Sequence, residues 1–282
     1  MDGIKRKTID RNRKISVMGI VNLTGDSYFA ASRCLKEDGN PDIGKTISVI
    51  GKMFGDGAGI VDIGACSTRP GAALPDMEEE WRRMKPLMDV LRKTFPEGRF
   101  SVDTFRAEIV RRCYDSIGDF IINDISAGED DPQMLETAGR LGLQYIAMHK
   151  RGTPGNMQEM TGYRDVVSEV LDYFRGFAKK ADKAGIRDWI IDPGFGFAKT
   201  VGQNYRLLAE LDRFTESGRK ILVGVSRKSM IYKLFGITPE EALPQTQVLH
   251  LAALQNGADI LRVHDVAEAV RTVRTYRMLY SD

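Results

Sequence analysis

The chain is poor in cysteine, histidine and tryptophan, with three, three and two among its 282 residues. Cys34, Cys66 and Cys113 are odd in number and have no C-x-x-C spacing, which argues against a disulfide frame or a zinc ribbon and fits reduced thiols in a cytoplasm. His149, His250 and His264 include no His-x-His or His-x-x-x-His pair, so a transition-metal site is not expected; His250 lies in an apolar helical stretch and is expected on a helix surface or in packing. A surplus of one charge is also missing. The 41 basic and 39 acidic residues leave a net +2, too little for a field that would select nucleic acid or an anionic membrane. No apolar run approaches the ~20 residues that a membrane span requires. The N-terminal MDGIKRKTIDRNRK lacks the apolar stretch of a signal peptide, and residues 1–14 are expected to form a solvated arm.

What is present is an alternation. Short apolar runs recur at Val17–Asn22, Ile60–Ala65, Phe100–Thr104, Phe120–Ser126, Tyr145–Lys150, Trp189–Gly194, Ile221–Ser226 and Ile260–Asp265. Between them lie stretches of helical period, among them Glu79–Leu91, Ala107–Tyr114, Tyr163–Ala184 and Leu243–Gln255. Gly185, Gly218 and Gly257 stand where helices should turn back toward the next strand. Alternating strand and helix predicts a parallel sheet, and eight such units predict a single (β/α)8 TIM barrel over residues 1–282.

Each predicted strand closes on polar residues: Asn22, Asp62, Asp103, Asn123 with Asp124, His149, Asp192, Ser226 with Arg227 and Lys228, and Arg262 with His264. In such barrels the C-terminal strand ends build the active site. With the strands closing in sequence order, Asn22, Arg69, Lys228, Arg262 and His264 fall on one arc of the mouth, suited to a phosphate-type anion. Asp103, Asn123 and Asp192 fall opposite. Two carboxylates and an amide suit a planar ligand rich in N–H donors, a metal, or acid–base chemistry, and spacing does not choose among them. Lys228 also fits a Schiff-base nucleophile, with Arg227 and Arg262 expected to lower its pKa.

Eight segments then stand in register: MGIVNLTGDSY from Met18, DIGACSTRPGA from Asp62, SVDTFRAE from Ser101, INDISAG from Ile122, MHKRGTPGNMQ from Met148, DPGFGFAKT from Asp192, VGVSRKSMI from Val223 and GADILRVHDV from Gly257. Together they resemble the dihydropteroate synthase family from about Val17 to Thr272. The resemblance implies a single (β/α)8 barrel that joins 4-aminobenzoate to 6-hydroxymethyl-7,8-dihydropterin pyrophosphate in folate synthesis. It implies magnesium as cofactor, small-molecule substrates, a sulfonamide target, a homodimer and a cytoplasmic location. By likeness, Asp103, Asn123, Met148, Asp192, Phe197 and Lys228 hold the pterin, and Asn22, Thr68, Arg69, Arg262 and His264 hold the pyrophosphate, with Asn22 on the metal. Asp26, Tyr28, Thr68, Pro70, Lys228 and Ser229 line the 4-aminobenzoate side, and Asp103, Lys228 and Arg262 carry the catalysis.

The sequence departs from the family pattern in two loops. Gly25 and Tyr28 stand where proline and phenylalanine are usual, and Ala65-Cys66 where Gly-Glu is usual. Cys66 precedes Ser67, Thr68 and Arg69, so its thiol is expected to be partly accessible, with Arg69 favouring the thiolate. A pterin-dependent methyltransferase would keep Asp103, Asn123 and Asp192 but has no use for the STRPG, SRKS and RVHD segments together.

Overall fold

The computed structural model describes residues 13–24, 36, 40–66, 74–153, 155–157 and 159–280. Eight parallel strands alternate with helices along the chain: β1 (Ser16–Asn22), β2 (Ile60–Gly64), β3 (Phe100–Asp103), β4 (Ile121–Asp124), β5 (Gln144–Met148), β6 (Trp189–Asp192), β7 (Leu222–Val223) and β8 (Ile260–Val263). They hydrogen-bond in the order β6-β5-β4-β3-β2-β1-β8-β7. A parallel bridge between Ile191 and Ile221 joins the two ends, so the sheet closes as a (β/α)8 barrel.

Among the described residues the helices are α1 (Ile43–Gly55), α2 (Met77–Thr94), α3 (Ala107–Ile117), α4 (Met134–Leu141), α5 (Val166–Lys183), α6 (Val201–Ala209), α7 (Ser229–Phe235), α8 (Leu243–Gln255) and α9 (Val266–Tyr280), with a 3-10 helix over Leu211–Ser217 between α6 and β7. Asp42, Asp76 and Asp165 cap α1, α2 and α5 by accepting the backbone N–H three residues on, at 2.9, 2.8 and 2.8 Å. Each such cap contributes about 1 kcal/mol. The Asp165 cap starts α5 three residues later than its apolar pattern suggests, leaving Tyr163 outside the helix. Gly185, Gly218 and Gly257 all adopt positive φ, as expected of helix ends turning back.

Alternation along the strands sorts side chains into two layers. Met18, Ile60, Ile121, Ile146, Ile190, Leu222 and Ile260 form a closed apolar cluster inside the barrel. Their neighbours of opposite parity, such as Val17, Val61, Ile122, Tyr145, Ile191, Val223 and Leu261, pack outward beneath the helices.

The apolar runs overshoot the ladders at their C-terminal ends. Over Phe120–Ser126 the ladder stops at Asp124, whose carboxylate accepts Ser126 N, Ser126 Oγ and Gly128 N at 2.7 Å each. Those local bonds turn the backbone away from its neighbour, and Ala127 follows with φ 48°. At Ile221–Ser226 only Leu222 and Val223 pair along β8, while Ile221 meets β6 through a single bridge to Ile191 and gives its N–H to the Asp259 carboxylate at 2.8 Å. Among the described residues, no helix is long and apolar enough to cross a membrane. Of the predicted arm, Arg13 is fastened at the base of the barrel, donating to Leu254 O at 2.5 Å, and residues 1–12 lie outside the described residues.

Candidate active site

The parity that fills the barrel with isoleucine also aims its chemistry. Two residues beyond the apolar layer, Asp62, Asn123, Met148, Asp192, Gly224 and Arg262 share the inward face, and Asp103 stands two beyond Ser101. Asn22, Ser226 and His264 follow two residues later on their own strands or just past them. Register holds these groups side by side: Gly64 opposite Asp103, Asp103 opposite Asn123, and Met148 opposite Asp192.

Arg262 occupies the middle of this mouth. Its Nε donates to Asp62 Oδ2 and its Nη2 to Asp103 Oδ2, both at 2.7 Å. The same Asp62 oxygen accepts Asn123 Nδ2 at 3.0 Å, which turns the amide oxygen of Asn123 away from Asp62. Burial works against the guanidinium charge, and the carboxylates of Asp62 and Asp103 more than offset it, leaving Arg262 firmly ionised. Asp103 is pushed up, first by burial, with Arg262 opposing and Asp62, Glu80 and Asp124 adding to the rise. The separate arcs expected from the sequence therefore meet: the cation of one is ion-paired to the carboxylate of the other. Asp62 is the residue that sequence reasoning passed over. It was legible as a strand-end carboxylate, but its job of tying Asn123 to Arg262 was not.

Lys228 and Asp192 form the next part of the rim. Lys228 Nζ donates to Phe195 O at 2.5 Å and lies 5.0 Å from the centre of the Phe197 ring. Asp192 Oδ1 accepts Gly194 N at 2.8 Å, and burial raises its carboxyl against the pull of Lys228, the Gly194 amide and Arg262. Arg227 does not join the mouth. Its guanidinium grips Asp265 at 2.8 and 2.9 Å and the carbonyls of Pro239 and Glu240, so it contributes nothing to the low pKa of Lys228. Burial, reinforced by Arg262 and partly offset by Asp192, brings Lys228 down to about 8 from 10.5.

The sign of that shift makes a prediction. An unfolded lysine holds its proton to about pH 10.4, so the folded chain binds this proton less tightly than the unfolded one. The mismatch costs stability below about pH 8 and is relieved as pH climbs through the interval up to 10.5. Lys228→Met is expected to raise the melting temperature of the ligand-free protein at pH 7 by roughly 2–4 °C while abolishing turnover. Scanning calorimetry at pH 7 and pH 10 checks it: the gain should shrink at the higher pH, and a lowered melting temperature at pH 7 would contradict it.

His264 is buried to a pKa of about 4, by desolvation and then by Arg262, so it enters the site as a neutral imidazole beside Ser226 Oγ at 3.3 Å. Met148 ends β5 buried beside Asp192, and Ser229 opens α7 next to Lys228. His250 is wholly buried in α8, consistent with packing. Gly25, Asp26, Tyr28, Thr68, Arg69 and Pro70 lie outside the described residues.

Cys66 corrects an expectation. Its sulfur accepts from Arg106 Nη1 at 3.5 Å, but burial and then the neighbouring Glu80 carboxylate push the thiol well above its ordinary value. Glu80 is itself fully buried and bound by Thr104 Oγ1 at 2.7 Å and by Arg106. The thiol form, and not a thiolate, is favoured here. Iodoacetamide at pH 8 is expected to modify Cys66 several-fold more slowly than glutathione, as followed by mass spectrometry; modification at the glutathione rate would contradict this.

Residues 18–264 match the family model described as pterin binding enzyme. The dihydropteroate synthase of Escherichia coli (strain K12) is 40% identical over 262 residues, covering 92% of this chain and 89% of that protein. The Yersinia pestis dihydropteroate synthase solved with a sulfonamide drug superposes with a TM-score of 0.89 at 34% identity, covering 98% of this chain and 97% of that one. The Xanthomonas albilineans dihydropteroate synthase solved with 4-aminobenzoic acid gives 0.85 at 35% identity, with 96% and 95% covered.

Proposed function

The chain belongs to the dihydropteroate synthase family of pterin-binding enzymes, and from that membership we propose how its barrel mouth divides the work. It is a transferase of folate biosynthesis that joins 6-hydroxymethyl-7,8-dihydropterin pyrophosphate to 4-aminobenzoate, forming a C–N bond and releasing pyrophosphate with 7,8-dihydropteroate. The observation that carries the mechanism is the Arg262 guanidinium bridging Asp62 and Asp103 at the centre of the mouth.

The pterin presents an edge of N–H donors. Asp103, Asp192 and the outward amide oxygen of Asn123 accept from it, Met148 and the Phe197 ring cover its faces, and Lys228 donates to its carbonyl or ring nitrogen. Pyrophosphate lies toward Arg262, His264 and Asn22, together with Thr68 and Arg69. The C–O bond to the exocyclic methylene breaks with its electron pair going to pyrophosphate. Arg262 stabilises the charge gathering on the leaving group, while Asp103 stabilises the cationic pterin left behind. The 4-aminobenzoate amine then attacks the methylene and loses a proton, held in line by Lys228, Ser229, Asp26, Tyr28, Thr68 and Pro70. Sulfonamides are expected to compete for this last position.

Magnesium is the proposed cation. Among the described residues no three His, Cys, Asp or Glu side chains converge into a protein-only cage. Asn22 ends β1, the strand that pairs with β8 and hence with Arg262. One amide oxygen suits an ion that keeps its waters and takes further ligands from substrate phosphates. When bound, it supplies positive charge to the leaving group.

A homodimer and a cytoplasmic location complete the proposal. Val248 on α8 is 67% exposed, and Leu234 and Phe235 at the end of α7 are each 52% exposed, giving a second copy apolar surface to cover. Cys66 and Cys113 are free thiols, as a reducing compartment requires. Pyrophosphate release on mixing with the pterin pyrophosphate and 4-aminobenzoate tests the reaction. Release matched one-to-one by dihydropteroate is expected, and no release with both substrates present would overturn it.

A further inference from the structure

Lys199 is one of the most buried cations in the chain, only 4% exposed, and none of the roles above uses it. It follows Asp192 by seven residues, at the end of the loop that leads from β6 to α6. Its three ammonium protons meet three acceptors: Gly194 O at 2.9 Å, Phe197 O at 3.1 Å and His149 Nδ1 at 3.0 Å. While protonated, Lys199 only donates, which places the His149 proton on Nε2, and burial followed by the Lys199 charge holds the imidazole neutral. No carboxylate forms a direct hydrogen bond with Lys199 among the described contacts. Burial brings its own pKa to about 7, a cost that an apolar side chain of the same length would avoid.

The loop gathered around this cation is strained and tightly fitted. Gly194, Gly196 and Ala198 all have positive φ, at 72°, 83° and 49°. A Cβ on Gly194 would fall 1.9 Å from His149 O, so only glycine lets the loop press against the end of β5. From the other side, Asn204 on α6 accepts Gly196 N at 2.7 Å and donates to Lys199 O and Thr200 O at 3.2 and 2.8 Å. Every group that this loop presents to the mouth belongs to the pterin side. Gly194 N binds Asp192, Phe195 O binds Lys228 Nζ, and the Phe197 ring faces the same ammonium.

We propose that Lys199 is a positioning residue for pterin recognition, its ammonium fixing the loop after β6 so that Asp192, Lys228 and the Phe197 ring converge on one face of the ligand. The proposal rests on the pterin assignment of that side of the mouth. It acts through the loop: the two carbonyls that Lys199 ties down bracket Phe195, whose own carbonyl aims Lys228. Lys199 also adds its charge to those that favour the ionised form of Asp192.

The test is calorimetric titration of the full chain with 6-hydroxymethyl-7,8-dihydropterin and, separately, with inorganic pyrophosphate. Lys199→Met removes all three donors; pterin affinity is expected to fall roughly ten- to fifty-fold with pyrophosphate affinity within about two-fold of wild type. Lys199→Gln keeps an amide donor for part of the hub and is expected to fall between the two. Equal losses for both ligands, or loss of the fold in both variants, would make Lys199 a general structural residue and overturn the proposal. Wild-type pterin affinity in both variants would overturn it as well. Failure of the wild-type protein to bind the pterin would instead strike the ligand reading on which the proposal rests.

Discussion

Arg262→Ala is expected to lower turnover by about a hundred- to thousandfold and to destabilise the fold as well. A preorganised donor aimed at charge developing on a leaving group is worth roughly 3–4 kcal/mol, or two to three powers of ten in rate. Separately, stripping the cation from a buried pair leaves its carboxylates unpaired, which costs the folded state about 3–5 kcal/mol and should show as a lowered melting temperature. Asp62 is fully buried and Asp103 partly so, and both accept from this one guanidinium. Pyrophosphate affinity should fall with turnover. Arg262→Lys keeps the charge but cannot reach two carboxylates in a fixed fork, so it should recover only a small part of the rate. Stopped-time assays of pyrophosphate release measure both variants, and near-normal turnover in the lysine variant would show that the fork geometry is unimportant.

Asp192→Asn should fail differently. Its Oδ1 is held by Gly194 N at 2.8 Å, so in the variant the amide oxygen keeps that bond and the NH2 group takes the place of Oδ2. A donor then faces the donor edge of the pterin. An unmade buried contact of this kind costs about 1–3 kcal/mol, so pterin affinity should drop roughly ten- to a hundredfold. Pyrophosphate binding should stay within about two-fold, because Asp192 touches no group on the leaving-group side except through charge. Calorimetry with each ligand decides it; a matched loss of both would mean that Asp192 shapes the whole mouth and does not read the pterin.

Much of this was legible in the chain. Period-two alternation put Asp62, Asp103, Asn123, Asp192 and Arg262 on the same side of their strands as the barrel's isoleucines, so their convergence needed only strand order and closure. Helix stops were legible as well, since Gly185, Gly218 and Gly257 have few other uses at those places. Contacts across the mouth were not. Arg262 and Asp62 are 200 positions apart in the chain, and no local pattern says which of several carboxylates a guanidinium will choose. Arg227 shows the same limit from the other side: adjacent to Lys228 in sequence, it turns outward to Asp265 because its φ of 52° reverses the backbone there. Cys66 misled because its sequence neighbours suggested a cationic setting, whereas packing brings it against the Glu80 carboxylate from α2. Lys199 was invisible as a functional residue, since a lysine after a glycine-rich turn reads as a solvated loop cation until its burial is known.

The two halves of the mouth are joined through Arg262. Calorimetric titration of Arg262→Ala with 6-hydroxymethyl-7,8-dihydropterin, a ligand with no leaving group, isolates that coupling. If Arg262 holds Asp103 and, through Asp62, Asn123 in their pterin-binding positions, the variant should lose about tenfold or more in affinity for a molecule that needs no contact with the guanidinium. Its loss should widen as pH falls toward neutral, because the unpaired Asp103, already raised by burial, takes up a proton more readily once its cation is gone, and a protonated carboxyl is a poorer acceptor for the pterin N–H edge. Wild-type pterin affinity in Arg262→Ala, alongside lost pyrophosphate binding, would contradict the coupling and leave two independent half-sites.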